Sequence, residues 1–231
     1  MNESWSRKER KKRAKKCTHP HGFTMRQFCK NQKTRSGPGE KKNENLLRHL
    51  IREIIAEAAY TPSFAAESGI KITAKRTKWG DGGWEVIALQ DGKEVGRVSI
   101  SLPIGMGKCL GAYEVSTSYS KIDGLGPLLY DVAMELAGTR GLMPDRRNVS
   151  SDARNVWNHY KTRREPRGEV ESTQLDDKPG VLTPDFLDDD CVQMSAVEDG
   201  NWQKSPLSKV YKKNGTPAID TLEDLGIIEF H

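Results

Sequence analysis

The stretch that decides the fold is SYSKIDGLGPLLYDVAMELAG, residues 118–138. It leaves a polar segment, passes Gly124 and Gly126, and enters an apolar segment at Pro127. Proline suits the first turn of a helix, because the N–H that it lacks would have no partner there. Apolar residues follow at helical spacing, which predicts a helix from Pro127 to about Ala137, ended by the next glycine.

Four segments before this stretch alternate apolar and polar residues, as β-strands with one buried face do. Glycine-rich turns separate them, so we expect successive antiparallel strands joined by hairpins. The segments are IKITAKRT (70–77), WEVIALQD (84–91), KEVGRVSISLP (93–103) and AYEVSTSYS (112–120).

The segments after the central helix are shorter. GLMPDR (141–146) predicts a brief strand, and SSDARNVWNHYKTRR (150–164) predicts a second helix capped by Ser150 or Ser151. A last pair of elements is expected in LSKVYKKNG (207–215) and IDTLEDLGIIEF (219–230). The predicted fold is therefore α+β, with a mixed, mostly antiparallel sheet flanked by helices.

The two glycines of the central stretch predict a site for phosphate. Glycine has no Cβ to block an approaching ligand, so backbone N–H groups stay accessible. These donors add to the positive end of the helix dipole, and together they favour phosphate oxygens. An ordinary glycine turn without a ligand is the alternative, because short glycine motifs are common.

The order of these elements resembles that of the GNAT (Gcn5-related N-acetyltransferase) superfamily. KIDGLGPLLYDVAMELA (121–137) is similar to its signature, Q/R-x-x-G-x-G/A followed by an apolar helix, with lysine in place of Gln or Arg. The resemblance covers roughly residues 70–165. It implies that acetyl-CoA is the acyl-donor cofactor, with its pyrophosphate held by Lys121, Ile122, Asp123, Gly124, Leu125 and Gly126.

Acyl transfer to an amine also needs a base and an acid. GNAT enzymes often place a carboxylate base on a strand before the loop, and here the resemblance implies Glu114. The family often has a tyrosine near the CoA sulfur, but Trp157 stands in that position. Residues at i and i+3 share a helix face, so Tyr160 is the candidate acid, with His159 as an alternative.

Charge divides the chain unevenly. Residues 1–42 carry 14 Lys or Arg against 3 Asp or Glu, a net charge of +11, while the remaining 189 residues carry 23 against 29, a net of −6. We interpret residues 1–42 as a basic arm and linker, and residues 43–231 as the GNAT-like domain, beginning with an amphipathic helix within 45–59. Such an arm is expected to bind nucleic acid or other polyanions, and a tail that only increases solubility is the alternative.

Residues 17–29 of the arm, CTHPHGFTMRQFC, hold two cysteines and two histidines. Their spacing matches no standard zinc module, so ordinary residues and a metal site remain alternatives, and no metal ligand is assigned. The stretch resembles short basic segments of phage-encoded proteins. A second hypothesis is therefore a phage or virion-associated structural protein with a degenerate GNAT-like body, whose basic arm holds nucleic acid or a neighbouring subunit.

Composition limits the class of protein. Mean hydropathy is −0.71, and neither an apolar run of membrane-spanning length nor a secretory signal is recognisable. A soluble protein without membrane partners is expected, in the cytoplasm, or in a host cytoplasm or virion if phage-encoded. The four cysteines are widely spaced, so reduced thiols are expected.

Overall fold

The computed structural model of the protein describes residues 61–77, 82–175, 191–192, 194–197 and 202–231. These residues form an α+β fold around one curled, mixed sheet. The predictions that lie outside the described residues are the basic arm and linker (1–42) and the helix within 45–59.

Eight strands of the described residues make the sheet, in the order β6-β7-β5-β4-β3-β2-β1-β8. Two neighbouring pairs, β4 with β5 and β1 with β8, are parallel, and the others are antiparallel. The four predicted hairpin strands are confirmed as β1 to β4. The bounds are β1 (Ile70–Arg76), β2 (Trp84–Gln90), β3 (Lys93–Ser101), β4 (Tyr113–Ser120), β5 (Leu142–Met143), β6 (Glu171–Gln174), β7 (Lys209–Lys212) and β8 (Ile228–Phe230).

Five α-helices of the described residues flank the sheet: α1 (Pro62–Glu67), α2 (Leu125–Ala137), α3 (Ser151–His159), α4 (Met194–Val197) and α5 (Pro217–Asp224). Within these residues, every helix is too short or too polar to serve as a membrane span. The prediction that Ser150 caps α3 is confirmed, since its side chain accepts a hydrogen bond from the Ala153 N–H at 3.2 Å. The predicted helix continues as one π-helical turn, Tyr160–Arg164.

The main core lies between the sheet and α2. Alternate strand residues such as Ile72, Val86 and Val98 are buried against this helix, because successive side chains of a strand point to opposite faces. Leu125, Leu128 and Leu129 supply the helix side of the core, one turn after another. Aromatic rings extend this core beneath α3, among them Tyr130, Trp157, Tyr160 and Tyr211.

A second, smaller core covers the other face of the sheet where β5 and β7 lie. Its buried members are Met106, Cys109, Ala112, Met143, Leu175, Cys191 and Val210. Glu114 is paired in register with Met143, so its side chain points to this second face and not toward α2.

The expectation of reduced thiols is wrong for two of the four cysteines. Cys109 and Cys191 form a disulfide across 82 residues, with their Cα atoms 4.5 Å apart, and both are fully buried. The second core brings the loop between β3 and β4 against the segment at Cys191, and wide spacing in sequence gave no sign of that approach. Cys17 and Cys29 lie outside the described residues.

Candidate functional site

A groove opens where the parallel strands β4 and β5 diverge. Their pairing covers two residue pairs, Tyr113 with Leu142 and Glu114 with Met143. Beyond Glu114, β4 continues to Ser120 while the chain after Met143 turns away. The edge of β4 from residue 115 to 120 therefore faces a groove instead of a neighbouring strand.

A bulge in β4 shapes this edge. Val115 pairs with Ile100 and Thr117 pairs with Ser99, so Ser116 has no partner residue on β3. A bulge of this kind bends the strand and redirects its side chains. Ser118 accordingly shares a face with Val98, toward α2, and it lines the groove.

The groove has two adjoining parts with volumes of about 440 and about 250 Å³. The larger part lies between the end of β4, the start of α2 and one side of α3. The smaller part runs along β4 toward the loop that follows β5. Four residues line both parts and mark their junction: Ser118, Tyr130, Ser150 and Ala153.

The two glycines of the central stretch lie at the end of the larger part. Gly124 has φ of 83°, a left-handed conformation that favours glycine, and the chain enters α2 directly after it. At Gly126 a Cβ would find no heavy atom within 4 Å outside its own surroundings. Backbone N–H groups at a helix start lack partners within the helix, so this end of the groove can receive an anion.

Four of the six predicted loop residues line the groove: Ile122, Asp123, Gly124 and Gly126. The other two are directed elsewhere. The Lys121 ammonium donates a hydrogen bond of 3.1 Å to the backbone carbonyl of Glu94 at the start of β3. The Leu125 side chain is fully buried in the main core.

No protein-family model, curated protein or solved structure matches this chain.

The charge of the groove is acidic. Among the described residues that line its larger part, the ionisable carboxylates are Asp123 and Asp152, the basic side chain is His159, and none is Lys or Arg. An anion at the glycine loop would be held by backbone N–H groups and the dipole of α2 and not by a cationic side chain.

Tyr130 is a groove residue that sequence reasoning missed. Its hydroxyl donates a hydrogen bond of 2.9 Å to Ser118 Oγ at the junction of the two parts. Burial raises the pKa of Tyr130 to about 12. The sequence held one sign of this position, because Tyr130 follows Gly126 by four residues and so shares its helix face.

Trp157 lies beneath the smaller part of the groove. Its ring meets the Tyr130 ring edge-on, with centroids 5.3 Å apart, and stacks on Tyr211 at the same separation. The indole is 1% exposed, so it forms a fixed apolar wall.

Tyr160, the predicted acid, is buried in the aromatic cluster and is not among the residues that line the groove. Its hydroxyl donates a hydrogen bond of 2.8 Å to Asp131 Oδ1. Burial, followed by the charge of Asp131, raises the pKa of Tyr160 well above its usual value. Its role as a catalytic acid stays a prediction.

Glu114, the predicted base, lies on β4 but on the face of the second core. Its Oε1 accepts a hydrogen bond of 3.2 Å from the Arg146 backbone N–H. Burial raises the pKa of Glu114, which favours the protonated carboxyl. Neither part of the groove includes Glu114 among its lining residues, so its role as a base also stays a prediction.

The Arg146 guanidinium is fully buried beside this carboxyl. Nε donates to the Pro144 carbonyl at 2.8 Å and Nη2 donates to the Leu207 carbonyl at 2.9 Å. Among the described residues, Nη1 has no hydrogen-bond acceptor. Desolvation lowers the pKa of Arg146 to about 10.

Proposed function

We propose that the chain is a GNAT-like N-acyltransferase that binds acetyl-CoA and transfers its acyl group to an amine. One observation carries the proposal: the groove between the diverging strands β4 and β5 ends at the glycine loop and the start of α2. Ligands of open sheets with parallel strands bind at the carboxyl ends of those strands, where neighbouring strands part.

The thioester substrate would lie along the groove with its pyrophosphate at Gly124 and Gly126. Its pantetheine arm, which carries two amides, would follow the open edge of β4 from residue 115 to 120, because a free strand edge offers backbone hydrogen bonds to an extended ligand. The thioester would then reach the junction at Ser118 and Tyr130. The open space around Gly126 supports this placement.

In the reaction, the amine nitrogen attacks the thioester carbonyl carbon and the sulfur leaves. Glu114 is the candidate base, and it would take the proton of the amine through water, since its carboxyl is on the second face of the sheet. A raised pKa suits a carboxylate that must accept a proton near neutral pH.

Calorimetry with acetyl-CoA tests the proposal. The parent protein should bind, and Gly126→Leu should weaken binding at least tenfold, because its side chain would fill the loop end of the groove without a clash in the free protein. Glu223→Leu, a bulky change at an exposed position of α5, is the matched control and should bind as the parent does. Absence of binding by the parent would remove acetyl-CoA from the proposal.

A second candidate function is favoured by the charge distribution of the chain. A net charge of +11 in residues 1–42 supports a virion-associated structural protein whose arm binds nucleic acid or a neighbouring subunit. In that case the fold retains the groove of an acyltransferase but has no acyltransferase activity. Acetyl-CoA binding separates the two candidates before any amine acceptor is known.

A further inference from the structure

The junction of the two groove parts holds a pair of hydroxyl groups from different elements. Tyr130 belongs to α2 and Ser118 belongs to β4, and their oxygens are 2.9 Å apart. Tyr130 donates in this hydrogen bond, so the hydroxyl hydrogen of Ser118 is available to a ligand in the groove.

Packing fixes the direction of the Tyr130 hydroxyl. Tyr130 is 3% exposed, and the edge-on contact with Trp157 closes the side of its ring that faces α3. Trp157 stands where the resemblance leads one to expect a tyrosine. In this chain the tyrosine hydroxyl at the groove belongs to Tyr130 on α2, whereas the resemblance places a tyrosine on α3.

Burial keeps the Tyr130 hydroxyl of the pair protonated. The titratable residues that line the groove near them are Asp145 after β5, Asp152 and His159 on α3, and Asp123 before α2. Burial, and to a smaller degree the charge of Asp145, raises the pKa of Tyr130 to about 12. The phenol thus stays neutral over the pH range in which an acyltransferase works.

We propose that Ser118 is the catalytic hydrogen donor to the CoA sulfur and that Tyr130 is its positioning residue. This inference rests on the proposed function. When the amine attacks, the C–S bond breaks and its electron pair goes to sulfur. Ser118 gives its hydroxyl proton to the leaving sulfur and takes the Tyr130 proton. Glu114 takes the proton of the attacking nitrogen through water, and the Tyr130 oxygen recovers a proton from the same water. The products are the amide and CoA thiol.

The pKa of the CoA thiol in the complex tests this assignment without an acceptor amine. A donor directed at sulfur stabilises the thiolate, so the pKa of the bound thiol should lie below that of free CoA. The measurement is a pH titration of thiolate ultraviolet absorbance with CoA at saturating concentration. Ser118→Ala should raise the pKa of the bound thiol by about one unit or more, since a hydrogen bond to a charged group is lost.

Tyr130→Phe should raise the same pKa by a smaller amount, because Ser118 keeps its hydroxyl but loses the hydrogen bond that orients and polarises it. The matched controls are Ser99→Ala on β3 and Tyr211→Phe, a buried tyrosine whose hydroxyl binds the Pro206 carbonyl. Both controls should leave the pKa of the bound thiol unchanged.

The outcomes are distinct. If the parent binds CoA and the pKa of its thiol is the same in the parent and in both groove variants, Ser118 and Tyr130 have no such role, while the acyltransferase proposal stands. If the parent does not bind CoA, the proposed function fails and this assignment fails with it. If Ser118→Ala loses CoA binding altogether, the Tyr130→Phe titration alone decides.

Discussion

The hydroxyl of Tyr160 donates a hydrogen bond of 2.8 Å to Asp131 Oδ1 within the core beneath α2. The same carboxylate pairs with Arg164 Nη1, at 2.5 and 2.7 Å to its two oxygens. Tyr160 thereby ties the turn that follows α3 to the central helix. This hydrogen bond gives Tyr160 a structural role that does not depend on catalysis.

Tyr160→Phe should accordingly lower stability more than catalysis. Losing one hydrogen bond to a buried carboxylate costs about 1–3 kcal/mol, and Arg164 continues to neutralise Asp131. Urea unfolding followed by tryptophan fluorescence measures the change. A variant of parental stability whose turnover falls a hundredfold or more would instead make Tyr160 the acid.

The strands and the central helix were predictable because their signals are local. Alternation in WEVIALQD and the apolar spacing after Pro127 each lie within a dozen residues. The placement of Tyr160 was not predictable, because its environment depends on Asp131, 29 residues earlier in the chain. The disulfide between Cys109 and Cys191 was not predictable for the same reason, because the two cysteines are 82 residues apart in the sequence.

The candidate site follows the same division. The sequence located Gly124 and Gly126, since a glycine loop before a helix is a local pattern. It did not place the Lys121 ammonium on the carbonyl of Glu94, nor Glu114 on the second face of the sheet. The bulge at Ser116 shifts the register between β3 and β4, and strict alternation along β4 does not anticipate it.

Glu135 holds the C-terminal part of the fold to α2. Its fully buried carboxylate accepts hydrogen bonds from the backbone N–H groups of Ala218 (3.0 Å) and Ile219 (2.8 Å) at the start of α5, and it pairs with Lys213. In Glu135→Ala the Lys213 ammonium keeps Asp131 at 3.6 Å as a partner, but the two N–H groups lose their acceptor, so the variant should cost about 2–5 kcal/mol.

Hydrogen exchange locates this effect. In Glu135→Ala, protection should fall first in residues 216–230, which contain α5 and β8. Glu223→Ala, an exposed position of α5, is the control and should change neither stability nor exchange by much. Uniform loss of protection throughout the sheet would contradict a local tie and indicate that Glu135 stabilises the whole core.

The raised pKa of Glu114 gives stability a predictable pH dependence. The pKa of Glu114 is higher in the folded protein than in the unfolded chain. At a pH between these two pKa values the folded protein binds more protons, so the contribution of Glu114 to stability is lost as pH rises through the folded-state pKa. Glu114→Gln keeps an oxygen for the Arg146 N–H and cannot ionise. The variant should therefore gain stability relative to the parent as pH rises from 4 to 7 in urea titrations; a constant difference would contradict this prediction.

Asp123 should weaken the binding of acetyl-CoA by the groove. It is exposed beside the glycine loop, where a pyrophosphate would carry like charge. Asp123→Asn should tighten binding by about fivefold at low ionic strength, and added salt should reduce that gain because it screens exposed charges. Calorimetry at two salt concentrations measures this, with Asp224→Asn on α5 as the control for net charge. An equal gain in acetyl-CoA affinity in both variants would show that the net charge of the protein determines the effect and that the position of Asp123 does not.

The basic arm should supply whatever affinity the chain has for nucleic acid. Residues 1–42 carry a net charge of +11 and the remainder carries −6, so phosphate contacts are expected in the arm. Binding of random-sequence DNA and RNA oligonucleotides, measured on filters, should fall about tenfold or more between low and physiological salt. Deletion of residues 1–42 should abolish it.

The same truncated protein also distinguishes a nucleic-acid arm from a protein-binding arm. Its acetyl-CoA affinity should match that of the full chain, because the sheet, α2 and the groove all lie beyond residue 60. If truncation leaves nucleic-acid binding intact and independent of salt, the hypothesis that the arm binds nucleic acid by its charge is wrong. Binding through counterion release requires the cationic residues and weakens as salt is added. If truncation instead disrupts an assembly of subunits, the positive charge serves contact with an acidic protein surface.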